Sequence, residues 1–274
     1  MPDSLTLERL CDYLQQPLLV ISGAGISTAS GIPDYRDRDG VRRGKQPMMY
    51  QEFLNDPAAR QRYWARALLG WPRILAAQPN AAHQALASLQ QAGRIGGLIT
   101  QNVDALHARA GSDATELHGS LHRVLCLDCG RRFPRADIQA RMLADNPYMA
   151  DVQARQAPDG DTLLDPVYVA DFQVPPCPAC QGLRLKPDVV FFGENVASAT
   201  AARAAAQASA ATGLLVVGSS LMAWSAFRLC KAMAEDGKPI LAINQGKTRA
   251  DPLITARTAQ PCELLLPSVV QALG

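Results

Sequence analysis

Two features of the sequence predict an α/β fold built on a doubly wound parallel sheet. Apolar runs of strand length recur at 18–21, 96–100, 213–217 and 239–243, each with the composition of a strand buried on both faces. Each run also ends in small or polar residues, at Gly23, Gln101, Gly218 and Asn244. On a parallel sheet such ends converge on one crevice, where open α/β folds bind ligands. Helical patterns lie between the runs.

At 274 residues the chain suffices for one large or two modest domains and a sizeable core. Its 48% hydrophobic and 19% charged content is that of an ordinary soluble globular protein. A formal net charge of +2 argues against a nucleic-acid footprint. The first residues carry acidic side chains, with no basic segment leading into an apolar run, so no secretory signal is expected. No apolar run approaches the roughly 18 residues of a membrane span. The expected location is therefore cytoplasmic, without a membrane partner. In a reducing compartment, seven cysteines point to metal rather than to a disulfide framework.

Leu7, Leu10, Cys11 and Leu14 fall at helical spacing and predict a short amphipathic helix. The first strand then runs into Gly23-Ala24-Gly25, whose glycines permit a tight turn and close approach of a ligand to the backbone. Ser27, Thr28 and Ser30 can cap a helix or bond a phosphate. Gly31-Ile32-Pro33-Asp34-Tyr35-Arg36 follows, turning into an acidic, aromatic and basic triplet. A strand, a glycine turn and a helix start are the ingredients of a dinucleotide site, but the fingerprint is incomplete. Thr28 stands where the third glycine belongs, and no acidic residue ends a second strand about 20 residues on. As a bare pattern, GAG leaves dinucleotide binding and an unrelated turn both open. The whole string is more specific: GAGIS followed by SGIPDYR resembles the NAD-binding signature of the sirtuins, the NAD-dependent protein lysine deacylases.

Residues 37 to 50 are polar and basic, including Arg42, Arg43 and Lys45, and read as a mobile loop. Asn55-Asp56-Pro57 starts a helix that continues through Tyr63, Trp64 and Leu68 and is expected to stop near Gly70. Another runs from about Asn80 to Gly93, ahead of the strand at 96–100. Gln101-Asn102-Val103-Asp104 comes next, and His118 lies fourteen positions beyond Asp104. Alone, Gln101 and Asn102 are either a ligand-binding strand end or a helix cap, and His118 either functional or packed. TQNVD followed by LHG is similar to the second sirtuin signature. The resemblance implies that Asn102 and Asp104 hold the nicotinamide ribose and carboxamide, and that His118 is the catalytic base. His83, His107 and His122 lack this context and read as structural or surface residues.

Cys126-Leu127-Asp128-Cys129 and Cys177-Pro178-Ala179-Cys180 each have the gap that lets two thiolates reach one tetrahedral ion. Two such pairs predict a structural zinc, with redox dithiols as the alternative. Four ligands leave no open position, so the ion is not catalytic; it staples a segment expected to be poor at building its own core. Between the pairs, Asn146-Pro147, 157–161 and Val174-Pro175-Pro176 are loop chemistry. The long gap resembles the class II sirtuins, as do the stretches at 60–66 and 70–72.

Lys186 to Glu194 is expected to return the chain to the sheet as an apolar strand ending at Gly193. By resemblance, Val190, Phe191, Phe192, Gly193 and Glu194 line the cleft where an acyl-lysine peptide lies as an added strand. Residues 197–212 are an alanine-rich helix. The resemblance also places Gly23, Ala24, Gly25, Ser27, Thr28, Asp34, Tyr35, Arg36, Gln101, Asn102, Val103 and Asp104 against NAD. Gly218, Ser219 and Ser220 join Asn244, Gln245 and Gly246 at its adenosine half. Cys262 closes over the adenine, or is simply a core cysteine.

Resemblance from Leu18 to about Leu266 identifies the chain as a class II sirtuin. It implies a Rossmann-type NAD-binding domain of residues 1–40, 80–120 and 186–274. A smaller discontinuous domain joins the helical insertion 41–79 to the zinc module 121–185. The implied reaction is deacylation: the acyl oxygen of a modified lysine attacks C1′, nicotinamide leaves, and His118 activates a ribose hydroxyl. Free lysine and O-acyl-ADP-ribose result. Protein mono-ADP-ribosyl transfer and a non-catalytic NAD-responsive zinc module are the alternatives. Acyl preference and oligomeric state are not written in the sequence.

Overall fold

The computed structural model describes residues 2–44, 47–156 and 162–274. Lys45 of the polar loop and the turn at 157–161 lie outside the described residues. The strands are β1 (Asp3–Ser4), β2 (Leu18–Ser22), β3 (Ile95–Thr100), β4 (Ala114–Glu116), β5 (Gly119–Cys126) and β6 (Arg132–Pro134). They continue with β7 (Arg155–Gln156), β8 (Thr162–Leu163), β9 (Leu185–Val189), β10 (Leu214–Val217), β11 (Ile240–Ile243) and β12 (Ala256–Thr258). The helices are α1 (Leu7–Tyr13), α2 (Tyr50–Asn55), α3 (Pro57–Ala76), α4 (Ala81–Gln91) and α5 (Leu106–Arg109). After them come α6 (Arg135–Asp145), α7 (Val167–Ala170), α8 (Ser198–Ala210), α9 (Trp224–Glu235) and α10 (Cys262–Leu273).

Seven strands pair in parallel in the order β1-β12-β11-β10-β2-β3-β4. The four expected runs are its centre, β11-β10-β2-β3. From β2 the chain moves outward to β3 and β4, and β10 later fills the other side, so the strand order reverses between β2 and β10. That boundary is the topological switch point. Alternate strand residues serve two helical layers. Leu18, Val20, Leu215 and Leu241 pack on Leu10, Leu86 and Leu266 of α1, α4 and α10. Leu19, Ile21, Val216 and Ala242 pack on Ala204, Leu229 and Met233 of α8 and α9. The doubly wound expectation is met.

A second lobe is built on the antiparallel sheet β6-β5-β9. Here lies the first correction. The strand expected to rejoin the main sheet and end at Gly193 is β9, which ends at Val189 and pairs with β5 instead. Val190 N then donates to His118 O at 2.9 Å, and Gly193 takes a left-handed φ of 80°, which ends extended pairing. The lobe also has its own apolar core, contrary to expectation. Trp64, Ala65 and Leu68 of α3 pack with Val124, Ile138, Met142, Met149, Phe172 and Leu185, and Cys126 and Cys177 belong to the same cluster.

The helix begun by Asp56, whose Oδ1 accepts from Ala58 N at 2.8 Å, does not stop at Gly70. It runs through Gly70 and Pro72 to Ala76 for two physical reasons. A Cβ on Gly70 would sit 2.8 Å from Thr162 Oγ1, so this glycine makes room for β8. Proline at 72 has no N–H for the carbonyl one turn earlier, that of Leu68. Gln139 Nε2 of α6 supplies the missing donor to Leu68 O at 2.8 Å, within the buried interface. Gln139→Ala should cost about 1–3 kcal/mol by stranding a buried carbonyl. In a Pro72→Ala background the new backbone N–H replaces that donor, so the same change should cost clearly less. Urea unfolding of the four-member cycle measures the coupling; equal losses in both backgrounds would contradict this account.

Candidate active site

A cleft of about 1540 Å³ runs along the C-terminal ends of β2, β3, β10 and β11 and between the lobes. At its floor the turn after β2 presses on the turn after β10. Gly23 N donates to Val217 O at 3.1 Å and Gly25 N to Gly218 O at 2.8 Å. A Cβ on Gly25 would lie 2.9 Å from Gly218 Cα, and one on Gly218 (φ 57°) would lie 2.4 Å from Ile26 N. The close approach read from these glycines is thus first of all protein against protein. The helix start after them is a 3₁₀ helix, Ala24–Ser30, closed by Gly31 at φ 82°.

That turn brings Ser27 under the end of β3. Ser27 Oγ donates to Asp104 Oδ2 at 2.7 Å and accepts from Asn102 Nδ2 at 3.0 Å. Asn102 Nδ2 gives its other proton to Gly23 O at 3.0 Å, so the amide oxygen is turned to act as an acceptor for a ligand donor. Asp104 is buried, and its Oδ1 accepts from Leu106 N at 3.0 Å. Ala105 next to it is held at a left-handed φ of 59°, local strain of about 1 kcal/mol beside the site. Gln101 Nε2 donates to Ser219 Oγ at 2.7 Å, tying β3 to β10.

His118 follows β4 and faces the cleft. Its Nδ1 lies 3.0 Å from Gln101 O. A carbonyl only accepts, so the neutral ring carries its proton on Nδ1 and makes Nε2 an acceptor. Burial pushes the imidazole below its ordinary range, against the raising effect of the Gln101 carbonyl, and keeps it neutral at pH 7. Ser225, at the start of α9, lies 2.8 Å from Nε2. No motif marks Ser225 in the sequence.

The remaining expected residues also line this cleft: Ala24, Thr28, Val103, Ser220 and the segment Val190 to Glu194 among them. Asp34 pairs with Arg43 at 3.0 Å, Arg36 donates to Gly40 O at 2.8 Å, and Tyr35 is exposed. The same loop packs on the end of β11: a Cβ on Gly246 would lie 2.9 Å from Arg38 Cα, and Arg38 Nη2 donates to Gln245 Oε1 at 3.3 Å. Asn244 Nδ2 donates to Gly246 O at 2.8 Å. Cys262 opens α10 rather than sitting in a core strand, and is buried with its thiol pushed up to about 12 by burial and Glu263. Unforeseen in the sequence is Lys186, fully buried, which pairs with Glu194 at 2.9 Å beneath the rings of Tyr50 and Phe191. Glu194 Oε2 also accepts from Phe191 N at 2.8 Å, so the ion pair fixes the shape of residues 190–194.

The four cysteines meet at the far end of the small lobe, with all sulfur atoms within 4.8 Å of one another. Cys126 and Cys180 Sγ lie 3.7 Å apart, and Cys129 and Cys177 Sγ 3.8 Å. A tetrahedron of 2.3 Å zinc–sulfur bonds has edges of about 3.8 Å, so the donor set fits zinc. Ala179 N and Gly182 N point at Cys177 and Cys180 Sγ, as thiolates require. All four are free thiols, which does not favour paired disulfides.

Behind the site, His107 Nε2 meets Ser22 Oγ at 2.8 Å, and Ser22 donates to Thr100 Oγ1, which accepts from Asn102 N. His83 and His107 are both buried, not surface residues, with ring centroids 4.9 Å apart. Burial lowers them to about 4 and about 3 respectively. In the unfolded chain both titrate near 6.5, so between pH 6.5 and 4 the unfolded state binds more protons and stability falls as pH falls. The expected slope is about 1.4 kcal/mol per pH unit per histidine. Urea unfolding from pH 7.5 to 5 should show it, and a rise in stability on acidification would contradict it. For the cysteines, one zinc per chain is expected by metal analysis, and Cys177→Ser should lose both the metal and the small-lobe core.

Comparison with known proteins agrees with this geometry. The family model described as the Sir2 family matches residues 23–225. The chain is 69% identical to the NAD-dependent protein deacetylase 3 of Pseudomonas syringae pv. tomato, over all of this chain and 99% of that one. It is 48% identical to the NAD-dependent protein deacetylase of Bordetella bronchiseptica, over 92% of each. A solved Sir2–p53 peptide–NAD+ complex superposes with a TM-score of 0.77 at 29% identity, covering 98% of both chains. Sir2Tm bound to a propionylated peptide gives 0.76 at 28% identity, over 98% of this chain and all of that one. Matched along its whole length by a 69% identical relative and over residues 23–225 by the family model, this chain belongs to the Sir2 family, the sirtuins.

Proposed function

We propose that this chain is an NAD-dependent protein lysine deacylase of class II, with the large sheet as the NAD-binding domain and residues 41–79 and 121–185, extended by β9 to Val189, as the small domain. The single observation that carries the reading is the imidazole of His118, which lines the cleft, is kept neutral by burial and is held through Nδ1 by Gln101 O. A base so placed takes a proton from a ribose hydroxyl without first having to lose its own. Asn102, through its unspent Oδ1, and Asp104 hold the nicotinamide end, with Ser27 fixing both. Gly218, Ser219, Ser220, Asn244, Gln245, Gly246 and Cys262 receive the adenosine half. Asp34, Tyr35 and Arg36 lie in the loop that covers the dinucleotide and keeps water from the reacting carbon. NAD, when bound, supplies the nicotinamide leaving group and the ADP-ribose acceptor.

Acyl-lysine peptides enter along Val190 to Glu194, where backbone pairing gives weak sequence specificity. Solved relatives hold acetylated and propionylated peptides, which supports short acyl groups as a starting panel. Cys126, Cys129, Cys177 and Cys180 would hold the zinc with all four positions taken, which leaves none for proton transfer. Purified protein with NAD and an acetyl-lysine peptide is expected to form O-acetyl-ADP-ribose, and His118→Ala to lower its rate by about 10²-fold or more while still binding NAD. Transfer of ADP-ribose to protein with no O-acetyl-ADP-ribose, or an unimpaired His118→Ala variant, would rule the proposal out.

A further inference from the structure

Ser225 touches the one atom of His118 that the reaction uses. Because Nδ1 donates to Gln101 O, Nε2 of the neutral ring is an acceptor, and the contact at 2.8 Å is one that Ser225 Oγ–H donates. Nε2 has a single lone pair, so Ser225 holds it whenever the cleft is empty. Ser225 itself is firmly placed as the second residue of α9, the twelve-residue helix whose Ala226, Leu229, Cys230 and Met233 are buried against the sheet. The two bonds are close to opposite ends of the ring and together fix its tautomer and its tilt.

Resting on the deacylase reading, we propose that Ser225 is a positioning residue for His118 that changes from donor to acceptor during the reaction. In the empty site Ser225 Oγ–H caps Nε2 and holds the ring in line with the cleft. A ribose hydroxyl takes over that lone pair. Its O–H bond breaks, the proton goes to Nε2, and the oxygen's electron pair forms a bond to the acyl carbon of the amidate as the C=N π pair moves onto the lysine nitrogen. Nε2–H of the imidazolium then turns to Ser225 Oγ, whose rotated hydroxyl accepts it. A hydrogen bond to a charged group in a buried site is worth more than one to the neutral ring, so Ser225 acts mainly on the charged state.

The test uses the full-length protein with Ser225→Ala and Ser225→Thr, NAD and an acetyl-lysine peptide. Exchange of labelled nicotinamide reports the step before His118 acts, and O-acetyl-ADP-ribose formation reports the step that needs it. Ser225→Ala should keep exchange and KM for NAD within about twofold and lower kcat about tenfold or more, the loss of one charged hydrogen bond. Ser225→Thr, which keeps the hydroxyl, should recover most of that loss. In NAD-free protein, the imidazole ¹⁵N spectrum should show the Nε2 signal moving toward that of an unbonded imine nitrogen in Ser225→Ala and not in Ser225→Thr. An unchanged or raised kcat, or exchange and kcat falling together, would overturn the proposal. Wild-type protein that supports neither exchange nor O-acetyl-ADP-ribose would overturn the deacylase reading itself, and this role with it.

Discussion

The backbone contact between Gly25 and Gly218 is the constraint on which the rest of the site depends. It joins the ends of β2 and β10 at the point where strand order reverses, and no side chain larger than hydrogen fits on either residue. With the turns pressed together, the 3₁₀ helix that follows brings Ser27 between Asn102 and Asp104. The same approach puts Ser219 within reach of Gln101, whose carbonyl holds His118. A closed path therefore links two glycines on one pair of strands to the proton position on an imidazole two strands away. Such a path is short because every residue in it sits at a strand end on the same edge of one sheet.

Most of this network is buried, where a polar group left without a partner costs about 1–3 kcal/mol. Partners shared among several of these groups are what make the geometry unique rather than merely allowed. Asn102 illustrates the logic: two donors go to the protein and the one acceptor is kept back. Gln101 shows the complementary case, with its amide N–H₂ groups spent on Ser22 O and Ser219 and its backbone carbonyl given to His118. Behind them His107, Ser22 and Thr100 hold the end of β3 from the opposite side at the expense of acid stability.

The central strands and the cysteine pairs were legible because they obey local rules: an apolar run of strand length, or a fixed gap between thiolates. What the local rules missed was set by distant partners. Helix α3 crosses a glycine and a proline because Thr162 fills the space above one and Gln139 replaces the N–H of the other, residues 92 and 67 positions away. Strand β9 looked like a member of the main sheet since its apolar pattern says nothing about its neighbour, which is β5. Ser225 was invisible because a serine near a helix start is ordinary, and only the fold places it on a histidine 107 positions earlier. The glycine turn was read for its ligand, yet its first duty is to another turn.

The two lobes are joined in a way that keeps His118 and the ledge of the cleft formed by residues 190–194 in fixed relation. Gly119 at the start of β5 sits against Asp188 and Val189 of β9, in a conformation (φ 78°) that side chains rarely adopt. Immediately beside it, Val190 N bonds the carbonyl of His118 itself. The ledge then continues for only a few residues before Lys186, reaching up from β9, locks Glu194 and through it Phe191 N. His118 and this ledge thus share one stretch of backbone ladder, so a movement of the small lobe carries the ledge only by breaking bonds next to His118. The loop at 34–43 is held differently: Lys247 N donates to Arg38 O at 2.8 Å and Arg43 N to Tyr35 O at 3.0 Å, side chains bond Asp34, Gly40 and Gln245, and Tyr35 is exposed to solvent. This loop, rather than the edge that carries His118, is the part of the cleft whose rearrangement breaks the fewest buried bonds.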